Sequence, residues 1–267
     1  MRDILGQLEA AWYASSTASK CHAVDALIPA CLMLSDGHRL PDVSSVAPDC
    51  KHVGRPDKVV CVPPESLPFR KATDKAGRAA LLHAIAHIEF NAINLALDAA
   101  WRFKDLGGLF VRDWIGVAIE ECYHFKLIES RLQALGVAYG DLPAHAGLWN
   151  LAEQTSEDVL ARMALVPRLM EARGLDAMPP IFRAFQGIGD KPTLRALSVI
   201  ARDEVRHVAL GDFWFRQLCK AQALPVSDTY QSLIATYGAP RPRPPLNEAA
   251  RRAAGFEEAE LALLRAS

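Results

Sequence analysis

The sequence has almost no net charge: 30 Lys and Arg stand against 31 Asp and Glu, a formal −1 at pH 7. That balance excludes the global basic field that gathers nucleic acid, and leaves room only for a local basic patch. Nor does the N-terminal region hold an apolar run of bilayer length. Its most apolar stretch, Cys21 to Leu34, is broken by Asp25 and Pro29 and falls short of the roughly 20 residues a span requires. Met1-Arg2-Asp3 leads into an amphipathic pattern rather than a secretory h-region, so a soluble, cytoplasmic chain with no membrane partner is expected. C-x-x-C pairs are absent. The six cysteines, at 21, 31, 50, 61, 122 and 219, therefore read as reduced, mostly buried thiols rather than a disulfide framework. Cys50, His52 and Cys61 could supply three zinc ligands, but no fourth sits at finger spacing. Sustained period-two alternation is also missing, which removes a sheet and predicts an all-α fold.

What the chain has is apolar content, 51% of its 267 residues, and long segments of helical period. Residues 1–70 open with two short helical patterns, Ile4 to Tyr13 and Ser19 to Leu34. They then fill with Pro41, Pro48, Pro56, Pro63, Pro64 and Pro68, which suits a wrapping arm better than a second domain. Residues 71–222 predict a four-helix bundle. Its first helix runs from a Thr73 cap to Phe103 and its second from Leu109 to Leu135. The third starts near Trp149 or Thr155 and reaches Arg173, where Gly174 and Pro179-Pro180 break it before a continuation over Ile181 to Gln186. The fourth runs from behind Asp190 to Lys220. The second and third helices are separated by roughly twenty residues, far more than a tight turn needs, and enough to run the length of a helix. This is the long crossover of a ferritin-like bundle. Residues 223–267 predict a C-terminal arm with one short helix, a basic strip Arg241-Pro242-Arg243-Pro244-Pro245 and a last amphipathic helix behind Asn247.

Two copies of Glu-x-x-His mark the second and fourth helices: Glu121-Cys122-Tyr123-His124 and Glu204-Val205-Arg206-His207. Residues three apart share a helical face, so each pair aims a carboxylate and an imidazole in one direction. In both cases that direction is the apolar stripe. Trp114, Val117, Ala118, Phe125 and Ile128 flank the first pair, and Leu197, Ile200, Val208, Gly211 and Phe215 the second. Ionisable groups in core positions need a partner, a proton or a metal. Glu89 interrupts the stripe of the first helix in the same way, and Glu171 that of the third. The turns agree: Glu89 and Glu121 are 32 residues apart about a midpoint beside Gly107-Gly108, and Glu171 and Glu204 are 33 apart about Gly187-Ile188-Gly189. Each antiparallel pair should therefore set one extra Glu level with one Glu-x-x-His. Four carboxylates and two imidazoles form a ligand set for two iron ions, with manganese or a mixed pair as alternatives.

Asp203 and Glu120 sit four residues before His207 and His124, within reach of the ring nitrogen turned away from a metal, and Arg206 could pair with one of them. His83 and His87 read as packing groups or as outer supports of the ligands, because His87 lies two residues from Glu89 and faces nearly the other way. Glu153 and Glu157 compete poorly with Glu171, and Tyr123 points away from the core. Pro167, one turn before Glu171, should kink the third helix.

These residues resemble the ferritin-like superfamily of di-iron carboxylate proteins, and Asp203-Glu204-Val205-Arg206-His207 is similar to the D-E-x-R-H form of its oxygen-activating members. The segments 82–89, 162–168, 171–176 and 202–204 are similar to a bacterial ferritin-like family catalogued as domain of unknown function 455. The resemblance implies a non-haem di-metal oxidoreductase that activates O₂ to hydroxylate or oxidise an organic substrate, with no catalytic residues beyond the metal ligands. Such an enzyme needs an external electron donor. A small molecule is the expected substrate, and the Arg241/Arg243 strip keeps RNA open as another. The alternatives are a ferroxidase or iron-handling protein and a catalytically inactive helical binding protein. Neither the substrate nor the oligomeric state can be read from the residues.

Overall fold

The computed structural model describes residues 4–35, 37, 49, 52–67 and 72–265. The fold is all-helical, and no strand occurs among the described residues, where Cys61 and Ala144 form an isolated bridge. Among the described residues twelve α-helices follow one another: α1 Ile4–Tyr13, α2 Thr17–Asp25, α3 Ile28–Met33, α4 Lys75–Arg102, α5 Gly108–Ala134, α6 Gly147–Gln154, α7 Val159–Leu165, α8 Ala172–Gly187, α9 Lys191–Ala221, α10 Val226–Thr236, α11 Glu248–Ala253 and α12 Glu258–Arg265. They form two compact units, Met1–Trp149 and Asn150–Ser267.

In the first unit α4 and α5 pack along their lengths, joined by a short 3₁₀ turn over Lys104–Leu106. Asp74 rather than Thr73 caps α4, its carboxylate accepting from Gly77 N–H at 2.8 Å. From Glu89 to Trp101 every residue of α4 is buried, so this helix is the core of its unit. It is the one described helix apolar and long enough to cross a membrane, but 78% of its most apolar window lies inside the fold. Asp98, fully buried, is neutralised one turn on by Arg102 at 2.8 Å. The predicted N-terminal helix over 19–34 is two helices, α2 and α3. Ser16 and Ser19 form a reciprocal cap that starts α2 earlier, at Thr17, and Pro29 falls in the first turn of α3. Within the Pro-rich arm, Pro41, Pro48 and Pro68 lie outside the described residues, whereas Pro56, Pro63 and Pro64 lie within them.

The crossover after α5 is tied to α4 by histidines. His87 Nδ1 is 2.9 Å from the Tyr139 hydroxyl and its Nε2 3.2 Å from the His145 carbonyl, while Gly140 N–H donates to His83 Nε2 at 2.9 Å. Both rings also pack against Tyr139. Burial drops His87 to a pKa of about 4, so the ring is neutral.

In the second unit the predicted third helix is rearranged. No break occurs at Gly174 or at Pro179-Pro180: α8 runs through all three. Pro179 cannot donate to the Leu175 carbonyl, and the side chain of Asn247 does so instead at 3.1 Å. The irregularity lies earlier, where Val166–Glu171 is π-helical around Pro167. Gly211 on α9 permits that segment to pack, since a Cβ there would stand 2.6 Å from Pro167 Cβ. Arg168, fully buried, reaches Asp212 at 2.7 Å and makes a short ion pair with Glu260, and its guanidinium lies 4.1 Å from the Tyr230 ring centre. Gly255, at φ +99°, leaves space that Asp212 fills. Val208, Ala254, Phe256, Leu261 and Leu264 complete this core, so α11 and α12 are integral to the unit.

Candidate metal-binding residues

The α4–α5 hairpin brings Glu89, Glu121 and His124 together. His124 Nδ1 lies 3.2 Å from Glu121 Oε2 and 3.4 Å from Glu89 Oε2, and one ligand atom from each residue lies within 4.8 Å of the other two. The turn is centred where the spacing requires it, so the geometry follows from hairpin length. All three side chains are buried: Glu121 and His124 at 0% exposure and Glu89 at 4%. Phe90 and Phe125, the next residues along each helix from Glu89 and His124, are buried and stack edge to face. Burial alone would depress the His124 pKa, yet the Glu121 and Glu89 carboxylates carry it up to about 11. Two buried acids facing one imidazole form a donor set with an excess of negative charge, the chemistry that receives a divalent cation.

In the second unit His207 Nδ1 stands 3.7 Å from Glu204 Oε1, the repeat of the Glu-x-x-His geometry. His207 is fully buried and Glu204 half-buried. Glu171 is the last residue of the π-helical segment, which packs on α9, and is half-buried. The π turn shifts every residue before it relative to a regular helix. Glu171 thus reaches its position by a distortion that no periodicity argument supplies.

Of the supporting residues, Asp203 is half-buried and takes Arg202 Nε at 2.7 Å, Glu120 is half-buried on α5, and Arg206 is exposed on α9. Tyr123, Glu153 and Glu157 are exposed, in keeping with their exclusion. For the zinc alternative, Cys50 lies outside the described residues, His52 pairs with Asp49 at 2.8 Å, and Cys61 is exposed. The five described cysteines are free thiols. Pro167, expected to kink the third helix one turn before Glu171, lies in the π-helical segment and packs on Gly211.

The cavity beside Glu204 went unread in the sequence. It has a volume of about 360 Å³ and is lined by Gly174, Leu175, Met178, Pro179, Phe182, Ala201, Asn247 and Ala250 as well as Glu204. The recurrence of Leu175, Met178, Pro179 and Phe182 on one side of α8 was the available signal, whereas Asn247 and Ala250 arrive from the tail without one.

The family model described as "Protein of unknown function (DUF455)" matches residues 13–262. An uncharacterized protein of Haemophilus influenzae is 42% identical over 262 residues, which cover 96% of this chain and 91% of the relative. No solved structure matches the chain. A match across nearly the whole chain, over both helical hairpins and their acidic and histidine residues, makes this protein a member of the DUF455 family.

Proposed function

We propose that the protein is a ferritin-like di-metal oxidoreductase. In this reading α4, α5, the α7–α8 run and α9 are the four helices of the bundle. Glu89, Glu121 and His124 hold one side of the centre and Glu171, Glu204 and His207 the other. These residues would hold two divalent cations, and their four carboxylates would balance the charge. The observation that carries the reading is the buried triad of Glu89, Glu121 and His124, whose ligand atoms lie within 4.8 Å of one another in the interior of a helical unit.

A bound pair of iron ions supplies the redox steps by which O₂ is reduced. The chain supplies the rest. Its carboxylates and imidazoles fix the spacing of the ions, and the apolar residues around Glu121 and His124 keep water out. Glu204 lies at the wall of the cavity, so an organic substrate held there would stand beside this ligand. In hydroxylation one oxygen atom enters a C–H bond and the other leaves as water, consuming two electrons and two protons from an external donor. Manganese fits the same oxygen and nitrogen donors.

Anaerobic loading with Fe(II), desalting and elemental analysis test the reading. Two ions per chain are expected; fewer than one would overturn it. Glu121→Ala and Glu204→Ala should each lose tight binding, and unchanged metal content in either would refute that ligand. Oxygen uptake that becomes catalytic with an electron donor and a metabolite extract separates the oxidase from iron storage, which saturates at a few turnovers.

A further inference from the structure

Helix α8 has two neighbouring faces of opposite character. Leu175, Met178 and Phe182 line the 360 Å³ cavity that Glu204 and Ala201 close from α9. Further round the same helix Arg173 and Arg183, joined by Arg243 of the tail, line an open hollow of about 580 Å³. Pro179 and Asn247 belong to both walls, so the apolar cavity and the basic hollow adjoin. Among the described residues the one carboxylate lining the hollow, Asp176, is taken up by Arg251, at 2.6 Å and 3.0 Å, and by Asn247 N–H at 2.8 Å. It therefore leaves the other three guanidinium groups uncompensated. Arg173, Arg183 and Arg243 are exposed, and among the described residues no carboxylate pairs with any of them. An apolar recess beside an uncompensated cluster of forked donors is complementary to a molecule with an apolar body and an anionic head. The cavity is at the small end of the range for ligand sites, about 300–1,000 Å³, which limits the body to a short chain or a single ring system.

We propose that this site takes an amphipathic organic anion, its apolar body in the cavity beside Glu204 and its carboxylate or phosphate head on Arg173, Arg183 and Arg243. That this anion is the substrate rests on Glu204 being a metal ligand; that it binds does not. The balance of the two walls favours a small molecule over RNA, which would use the arginines and leave the apolar recess without an occupant.

Calorimetric titration of the chelator-stripped full-length protein with decanoate, decyl phosphate and decanol tests the proposal. At least one anion should bind ten times or more tighter than decanol, and the tighter of the two identifies the head group. The exposed double substitution Arg183→Glu/Arg243→Glu should weaken the anion about tenfold or more and leave decanol unchanged. Ala201→Phe, which fills the recess, should weaken all three. If neither anion outbinds decanol, if the double substitution changes nothing, or if a short RNA binds tighter than both anions irrespective of Ala201→Phe, the proposal is overturned. Circular dichroism of each variant confirms that it is folded. Metal content, measured separately on the loaded protein, reports on the proposed centre: two ions without anion binding sink the pocket alone, and anion binding with less than one ion sinks the centre alone.

Discussion

A buried charge survives only with a partner, and the first unit shows two solutions. His124 lies 3.2 Å from Glu121 and 3.4 Å from Glu89, whose carboxylates push its pKa up to about 11 against the pull of burial. Lys20, at 0% exposure, has only neutral partners: its ammonium donates to the carbonyls of Ala11 and Trp12 at 2.6 Å and 2.7 Å, in the last turn of α1. Those carbonyls lie at the negative end of the helix dipole, but they do not outweigh desolvation, and the pKa falls from 10.5 to about 7. The sign follows directly. Above pH 7 the unfolded chain retains a proton that the folded chain has released, so this residue makes stability rise with pH until about 10.5. Between pH 7 and 9 the gain is about 2 kcal/mol. Urea denaturation at the two pH values measures it, and Lys20→Met should flatten the slope. An equal slope in the variant would show that Lys20 is not the group responsible.

At the scale of elements, Asn247 holds two helices. Its Oδ1 caps α11 by accepting from Ala250 N–H at 3.3 Å, and its Nδ2 supplies the bond that Pro179 withholds from Leu175 O in α8. Asn247→Ala should therefore cost about 1–3 kcal/mol, a cap plus a hydrogen bond. Asn247→Asp keeps the cap, removes the donor and should fall between the two. Equal stability of all three proteins in chemical denaturation would dismiss this account of the unbroken α8. The π-helical segment makes a second prediction. Gly211→Ala would drive a methyl group to 2.6 Å from Pro167 Cβ, and overpacking of this kind costs about 1–3 kcal/mol. Because Glu171 ends that segment, the same substitution should also lower metal retention, whereas substitution at exposed Phe213 should affect neither quantity.

At the scale of the whole molecule, each of the two compact units carries one Glu-x-x-His. If their ligands share one centre, ions bound only by the native state tie the two units into a single unfolding event. Calorimetry of the stripped protein should then show a broad or double transition, and loading should merge it and raise it. At a free metal concentration near a thousand times Kd the gain is about 4 kcal/mol, on the order of 10 °C for a chain of this size. Two transitions that persist unshifted after loading would place the halves on separate sites.

Helix existence, the α4–α5 turn and the level of Glu89 with Glu121 and His124 were legible in the residues. Each follows from local periodicity and from counting along rigid rods, and neither needs knowledge of distant contacts. What the tertiary structure alone decided lies where a distant residue overrules a local rule. Asn247, far along the chain, lets α8 pass through two prolines; Gly211 makes room for a π turn at Pro167; and the tail brings Asn247, Ala250 and Arg243 to the cavities beside α8. Local propensity sets what a segment prefers. Which preferences are overridden depends on which orphaned carbonyls and vacant volumes the rest of the chain comes back to fill.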